Sequence, residues 1–194
     1  MRSRAGRLIV VVGLLASAMG ARSVLAGTVV ERTVAFVNKK PVLLSDVELT
    51  RALLKLDEKE ATERAIDEVL MSEEASRLVT ETPVEEVVQG AVLSLQEKAG
   101  PGFTPLALRR KALVQLAIAG YIEQRLRPQV RVEDEAVRAA FNERVARDPR
   151  TPQFNLVADA IRESLESQAL DQKIEEWVAS LRRREEIRRV PPRP

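Results

Sequence analysis

No cysteine and no histidine occurs among the 194 residues. Without thiol or imidazole there is no Ser/His/Asp triad, no Cys nucleophile, no His or Cys zinc site and no disulfide framework. Any catalysis would rest on carboxylates, Lys, Tyr or hydroxyls, and the sequence marks no catalytic, metal or cofactor residue. Aromatics are also scarce, with four Phe, one Tyr and one Trp. Single-stranded nucleic acid is bound on ring faces, so this scarcity argues against such a partner. What is present is ordinary for a globular chain: 45% apolar and 31% charged residues, with 31 Lys plus Arg against 29 Asp plus Glu.

The first segment shifts that charge balance. Arg2, Arg4 and Arg7 precede an apolar or small stretch over residues 8–20, and Val24-Leu25-Ala26 offers small residues where a signal peptidase reads them. The pattern predicts a cleavable export signal over residues 1–26. Thirteen apolar residues are short for a bilayer, which takes about 20 as a helix; an uncleaved anchor is the alternative. Removing residues 1–26 takes away four Arg and no acid, leaving 27 basic against 29 acidic residues. The surplus positive charge is therefore no sign of a nucleic-acid partner. After cleavage, nothing in the pattern calls for stable membrane insertion.

Along the remaining chain, residues 33–37 read as a strand, residues 38–41 as a turn and residues 42–44 as a return strand. Ser45-Asp46-Val47-Glu48 has the form of a capping box opening a helix to about Leu56. A second helix is expected over residues 60–79, with Ile66, Val69, Leu70, Met71, Ala75 and Leu78 inward and Glu74 as a rim carboxylate with an Arg or backbone partner, a functional acid being the alternative. Thr82-Pro83-Val84-Glu85 starts a third, whose Val84, Val87, Val88, Ala91, Val92 and Leu95 make the cleanest amphipathic stripe in the chain. Thr104-Pro105 repeats the start signal. From Ala112 to Ile122 the helix it opens is apolar on nearly every side, so it must be central or face something hydrophobic; it is expected to stop at Arg127-Pro128. A short helix follows Glu133-Asp134-Glu135, with Val137, Phe141 and Val145 on one side. After a loop comes a long helix over residues 155–184 and a short strand over residues 186–190. The Arg182, Arg183, Arg184, Arg188 and Arg189 run reads as a solvated helix end suited to the dipole, with contact to anionic lipid head groups as the alternative.

The hairpin carrying Val34-Ala35-Phe36-Val37-Asn38 and Val42-Leu43-Leu44-Ser45-Asp46-Val47 resembles the amino-terminal chaperone domain of SurA and related periplasmic foldases. In the same order, Ile66-Asp67-Glu68-Val69-Leu70 is similar to that family's second helix. Residues 121–128 with Val130-Arg131-Val132 resemble its helix end and linker, and residues 175–190 its carboxy-terminal helix and strand. The likeness covers most of residues 30–190. It departs where the family carries parvulin-type prolyl isomerase domains, since only residues 148–154 lie there, and in two details: Glu133 stands where the family has Ser, and Ala140 where it has an aromatic.

The resemblance implies a mainly α fold, a helical bundle with a small β-hairpin near the mature N-terminus joined by a C-terminal strand, of SurA N-terminal and trigger-factor C-terminal type. The expected organisation is one composite domain over residues 27–190: an N-terminal core over 30–147, a loop over 148–154, a C-terminal helix and strand over 155–190, then a tail over 191–194. The hairpin is too small to stand alone in water, so a strand from residues 186–190 lying on it would complete it. The implied function is that of a periplasmic, ATP-independent holdase for unfolded outer-membrane polypeptides, non-enzymatic and without cofactor. The candidate groove residues are Val88, Val92, Leu95, Phe103, Leu108, Leu116 and Tyr121, for each of which core packing is the competing role. A non-catalytic assembly protein that uses the same helices to form a homodimer or grip one fixed partner is the other reading.

Overall fold

Thr33, Val34, Phe36, Val37 and Val42 bring β-branched and aromatic residues together at the start of the described chain. In the computed structural model, which describes residues 31–78, 83–148 and 150–191, they form an antiparallel hairpin of β1 (Thr33–Val37) and β2 (Lys40–Leu43). Asn38 makes the reversal with a φ of +53°, a region this side chain tolerates better than most. The turn is shorter than expected, because Lys40 and Pro41 belong to the strand. Pro41 is tolerated there since β2 is an edge, where a missing donor costs no ladder bond.

The C-terminal strand β3 (Ile187–Arg189) pairs antiparallel with β1, giving the order β2-β1-β3. The two ends of the described chain thus meet in one sheet. The rest is helical: α1 (Leu44–Leu54), α2 (Glu58–Leu78), α3 (Glu85–Ala99), α4 (Pro105–Tyr121), α5 (Asp134–Arg147) and α6 (Phe154–Arg184). No described helix is long and apolar enough to cross a membrane. The signal-like residues 1–26, Thr82, Val79 and residues 192–194 of the tail lie outside the described residues.

The caps separate local from distant control. Thr104 Oγ1 accepts from Ala107 N (3.2 Å) with Pro105 in the first turn, as its sequence predicts. The Ser45/Glu48 box does not form. The strand runs straight into α1, Leu44 N donates to Arg32 O (2.7 Å) and Ser45 N to the Glu31 carboxylate (3.3 Å), and Ser45 Oγ accepts from Arg110 of α4 (3.2 Å). A reciprocal box forms one helix later: Glu60 N donates to Asp57 Oδ1 (2.8 Å) and Asp57 N to Glu60 Oε2 (3.4 Å). The Asp57-x-x-Glu60 spacing was there to be read. At the far end of α4 the chain continues through a π-helical turn (Ile122–Leu126) and a 3-10 turn (Arg127–Gln129). Pro128 therefore sits inside a first turn, where its absent N–H is harmless, rather than ending the helix before it.

Two packed clusters result. The larger joins the sheet, α2, the end of α4 and the second half of α6, with Ala35, Val37, Ile66, Leu70 and Leu181 buried. Tyr121 and Trp177 stack within it, ring centroids 4.4 Å apart and planes 9° apart. The smaller lies between α1, α3 and α4 around Leu49, Leu95, Leu108 and Ala112. The first half of α6 pairs with α5, where Phe141 meets Phe154 edge-on at 5.2 Å and Asp134 accepts from Arg162 (2.6 Å).

Candidate functional site

The antiparallel pair α3 and α4 carries most of the candidate groove residues, and its geometry follows from its turn. Gly100 and Gly102 take positive φ (+77° and +110°), which only a residue without a Cβ adopts freely, and the Thr104 cap restarts the chain. Across the pair Arg109 grips Glu85 with both guanidinium nitrogens (2.6 and 2.7 Å), and Gln89 Nε2 adds a third donor to the same carboxylate (2.7 Å). The Arg109 hydrogen bonds, then that of Gln89, hold the Glu85 carboxyl down to about 2.

Of the groove candidates, Val88, Leu95 and Leu108 are buried, and Val92 and Phe103 are half-buried against the Leu49, Leu95, Leu108 and Ala112 cluster. Tyr121 is buried in the other cluster, against Trp177. Leu116 is half-buried. The seven are thus divided: Val92, Leu95, Phe103 and Leu108 belong to the smaller cluster and Tyr121 to the larger, while the buried Val88 and the half-buried Leu116 belong to neither. Burial of the Tyr121 phenol, aided by the negative charge of Glu74, pushes its pKa up against the opposing pull of Arg125 and Arg184.

Other apolar side chains of these two helices are exposed, as are Leu54, Leu78, Val145 and Leu156 on other helices. Leu93 is 65% exposed and Leu106 72% exposed, and Val84, Val87 and Leu113 are exposed with them. The α3 stripe is therefore only partly covered: Val88 and Leu95 face inward, while Val84 and Val87, expected inward, are open to solvent because α3 rests on α1 and α4 along one narrow seam. On α4, helical spacing puts Leu106, Leu113, Leu116 and Gly120 on one side, opposite the packed Ala107, Leu108, Ala112, Ile118 and Tyr121. The apolar run predicts that this helix has apolar residues to spare; it does not say which of its sides stays open.

The inner side of α4 holds the opposite surprise. Lys111 is only 4% exposed. Its Nζ donates to Thr50 Oγ1 of α1 (2.7 Å) and to the Glu68 carboxylate of α2. One turn-face away Arg110 donates to Asp46 (2.7 Å). A cavity of about 310 Å³ beside β2, with Pro41, Val69 and Val114 among its walls, and another of about 230 Å³ toward Leu53 and Ile118 flank the Lys111–Glu68 pair. Of the cations in their walls, Lys40 pairs with Glu73 (3.3 Å), Arg110 with Asp46 and Lys111 with Glu68. The Arg110 and Lys111 pairs tie α4 to α1 and α2, and the Lys40 pair ties β2 to α2. Among the described residues no cluster of acidic side chains is arranged to hold a metal ion.

The C-terminal Arg run is exposed in part but largely partnered. Arg182 donates to Asp67 (2.5 Å), the Glu63 carboxylate (2.8 Å) and the Glu63 carbonyl (3.1 Å). Arg189 donates to Glu63 (2.7 Å), Arg184 lies 3.7 Å from Glu74, and Arg188 sits over the Phe36 ring at 4.6 Å. The acidic side of α2 faces the end of α6 and takes up Arg182, Arg184 and Arg189, while Arg183 is exposed. Glu74 is indeed a rim carboxylate, held by Arg77 (3.2 Å) and Arg184. Comparison with protein-family models, with curated proteins and with solved structures finds no match to this chain.

Proposed function

We propose that this chain is an ATP-independent holdase, exported to the periplasm, that keeps unfolded outer-membrane polypeptides from aggregating and does not catalyse prolyl isomerisation. The observation that carries the reading is the set of large apolar side chains left in solvent on α3 and α4, Val84, Val87, Leu93, Leu106 and Leu113, beside the core those helices share with α1. Large apolar side chains left in water on a rigid support suit weak, multi-site contact with chains that offer apolar residues in no fixed order. The ordered resemblance of the hairpin, second helix, linker and terminal helix to SurA-like foldases points the same way. The segment that would carry a parvulin domain is here only residues 148–154.

The test is the chain's effect on aggregation of an unfolded outer-membrane barrel, measured by light scattering. Leu93→Ser together with Leu106→Ser should weaken suppression severalfold while leaving the melting temperature within a few degrees, since substitutions at such exposed sites typically change stability by less than about 0.5 kcal/mol each. Uncatalysed prolyl exchange takes tens to hundreds of seconds, so even modest isomerase activity would be visible in a peptide assay; none is expected. No suppression by the unaltered chain removes the holdase reading. A stable dimer that the two Ser substitutions dissociate supports the assembly-protein reading instead.

A further inference from the structure

The strand β3 is itself an extended polypeptide seated on a sheet edge, and the way it is held says what that edge accepts. Asn38 N donates to Glu186 O (2.8 Å), Val190 N donates to Val34 O (2.8 Å), and Arg188 stands opposite Phe36. By the alternation of an antiparallel ladder, residues 186, 188 and 190 turn their main-chain groups to β1, while Ile187 and Arg189 lie opposite Val37 and Ala35 in the pairs without hydrogen bonds. Ile187 adds a half-buried apolar side chain to the core, and Arg189 reaches Glu63 of α2.

The Asn38 side chain adds a clasp at the start of the strand, donating to the Glu185 carboxylate (2.8 Å) and accepting from Glu186 N (3.1 Å), and beyond it the attachment is light. Arg188 and Arg189 are exposed, the strand has three residues, and its charged contacts lie at the surface, where ion pairs contribute little. Glu185 ends α6 in an extended conformation, so residues 185–191 can swing away while Trp177 and Leu181 keep the helix docked. The hairpin left behind still packs on α2 through the fully buried Ala35, Val37 and Val42. The sheet's other edge is blunted, because Pro41 of β2 has no N–H to offer.

We propose that β3 is a displaceable occupant of the β1 edge, and that the vacated edge binds extended polypeptide segments carrying an apolar residue and, two positions later, a basic one. The proposal rests on the holdase reading for its biological use. The main chain of Val34, Phe36 and Asn38 supplies the sequence-independent part of recognition, the apolar floor selects the residue in the Ile187 position, and Glu63 selects the base in the Arg189 position. A client segment with a larger apolar residue than Ile187 buries more surface on the same ladder and displaces the strand.

The test is to replace Ala35→Cys and Arg189→Cys together in the full chain, which has no other cysteine. Antiparallel pairs of this kind bring Cα atoms to about 4.5 Å, a spacing a disulfide accepts. The probes are a labelled synthetic peptide copying residues 185–190 and an unfolded outer-membrane barrel. Peptide binding, read by fluorescence anisotropy, should weaken at least about tenfold on oxidation and return with reductant. The single variant Arg189→Glu, which sets like charge against Glu63, should bind the peptide more tightly than the unaltered chain by a similar factor. Equal binding by the oxidised and reduced forms, or no binding by any form, overturns the proposal, and suppression of barrel aggregation by the unaltered chain then leaves the holdase reading standing. If the peptide binds only the unlocked forms while no form suppresses aggregation, the edge site stands and the holdase reading falls.

Discussion

Replacing Lys111 by Met should be among the more costly single changes in the protein, and the cost can be worked from its surroundings. The ammonium sits on the inner side of α4 and donates to Thr50 Oγ1 and to Glu68. Thr50 donates onward to the Asp46 carbonyl (2.8 Å), so the hydroxyl keeps a partner when the lysine is gone. Glu68 does not: its side chain is 14% exposed and Lys111 is the cation paired with it. Removing one partner of a buried pair typically costs 3–5 kcal/mol, mainly because the other charge is stranded. The cavities on either side admit some water to Glu68, which places Lys111→Met near the lower end, about 3 kcal/mol. At 2–4 °C per kcal/mol for a chain of this size, the melting temperature should fall by roughly 6–12 °C. Adding Glu68→Leu removes the stranded charge, and the double variant should return to within about 1 kcal/mol of the unaltered chain. Urea unfolding followed by the emission of Trp177, the sole tryptophan, measures both. A single variant costing less than about 1 kcal/mol, or a double variant as unstable as the single, would show that this pair is not a buried tie between α1, α2 and α4.

Other residues give tests of the same architecture. Burial works to raise the Glu63 carboxyl, but the hydrogen bonds and charges of Arg182 and Arg189 prevail and hold it below its ordinary value; its contribution is therefore complete above the usual carboxylate range and lost as pH falls through the lowered value. Glu63→Gln should flatten the acid side of a plot of melting temperature against pH, and an unchanged acid limb would mean the two arginines do not bind there. The single tyrosine makes the raised pKa of Tyr121 directly readable: absorbance of the native chain should titrate above the value of the unfolded chain, and stability should decline as pH rises through that range. Asn38 combines a left-handed φ with an amide that donates to Glu185 (2.8 Å) and Glu73 (3.1 Å) and accepts from Glu186 N (3.1 Å). Asn38→Ala should cost about 2–3 kcal/mol in urea unfolding, from backbone strain and lost hydrogen bonds, with Asn38→Gly recovering about 1 kcal/mol of it.

What the sequence discloses depends on the distance over which each feature is decided. The Thr104-Pro105 start and the Gly100 and Gly102 turn are settled within a few residues, and the chain adopts them as written. The Ser45 box is just as good a local signal, and it loses to Arg110, 65 residues away, and to an acid at Glu31 that meets the helix start only because the strand leads straight into it. The Arg182–Arg189 run shows the same limit. Helix-end cations suit the dipole, yet what occupies them is the row of Glu63, Asp67 and Glu74 on α2, more than 100 residues earlier. The terminal strand could be anticipated because an unsupported hairpin needs a third strand and the chain offers one more extended segment.

The helix α4 shows why the candidate surface was harder to read than the fold. Its sequence has apolar residues on all sides and one run of three cations, Arg109, Arg110 and Lys111, and periodicity by itself puts the cations outside and the leucines inside. The fold reverses part of that order. Three helices converge where Lys111 stands, and Thr50 and Glu68, each unremarkable on its own helix, make a place for its ammonium. With that side committed to α1 and α2, and the Leu108 side committed to α3, Leu106 and Leu113 are left without cover. Periodicity alone cannot show this, because it reports how much of a helix is apolar and not how many neighbours arrive. A buried lysine and an exposed leucine stripe on one helix are two consequences of a single packing choice. The Lys111 and Leu106 substitutions should therefore separate cleanly, the first lowering stability and the second leaving it unchanged and, on the proposed holdase reading, lowering only the capacity to hold an unfolded chain.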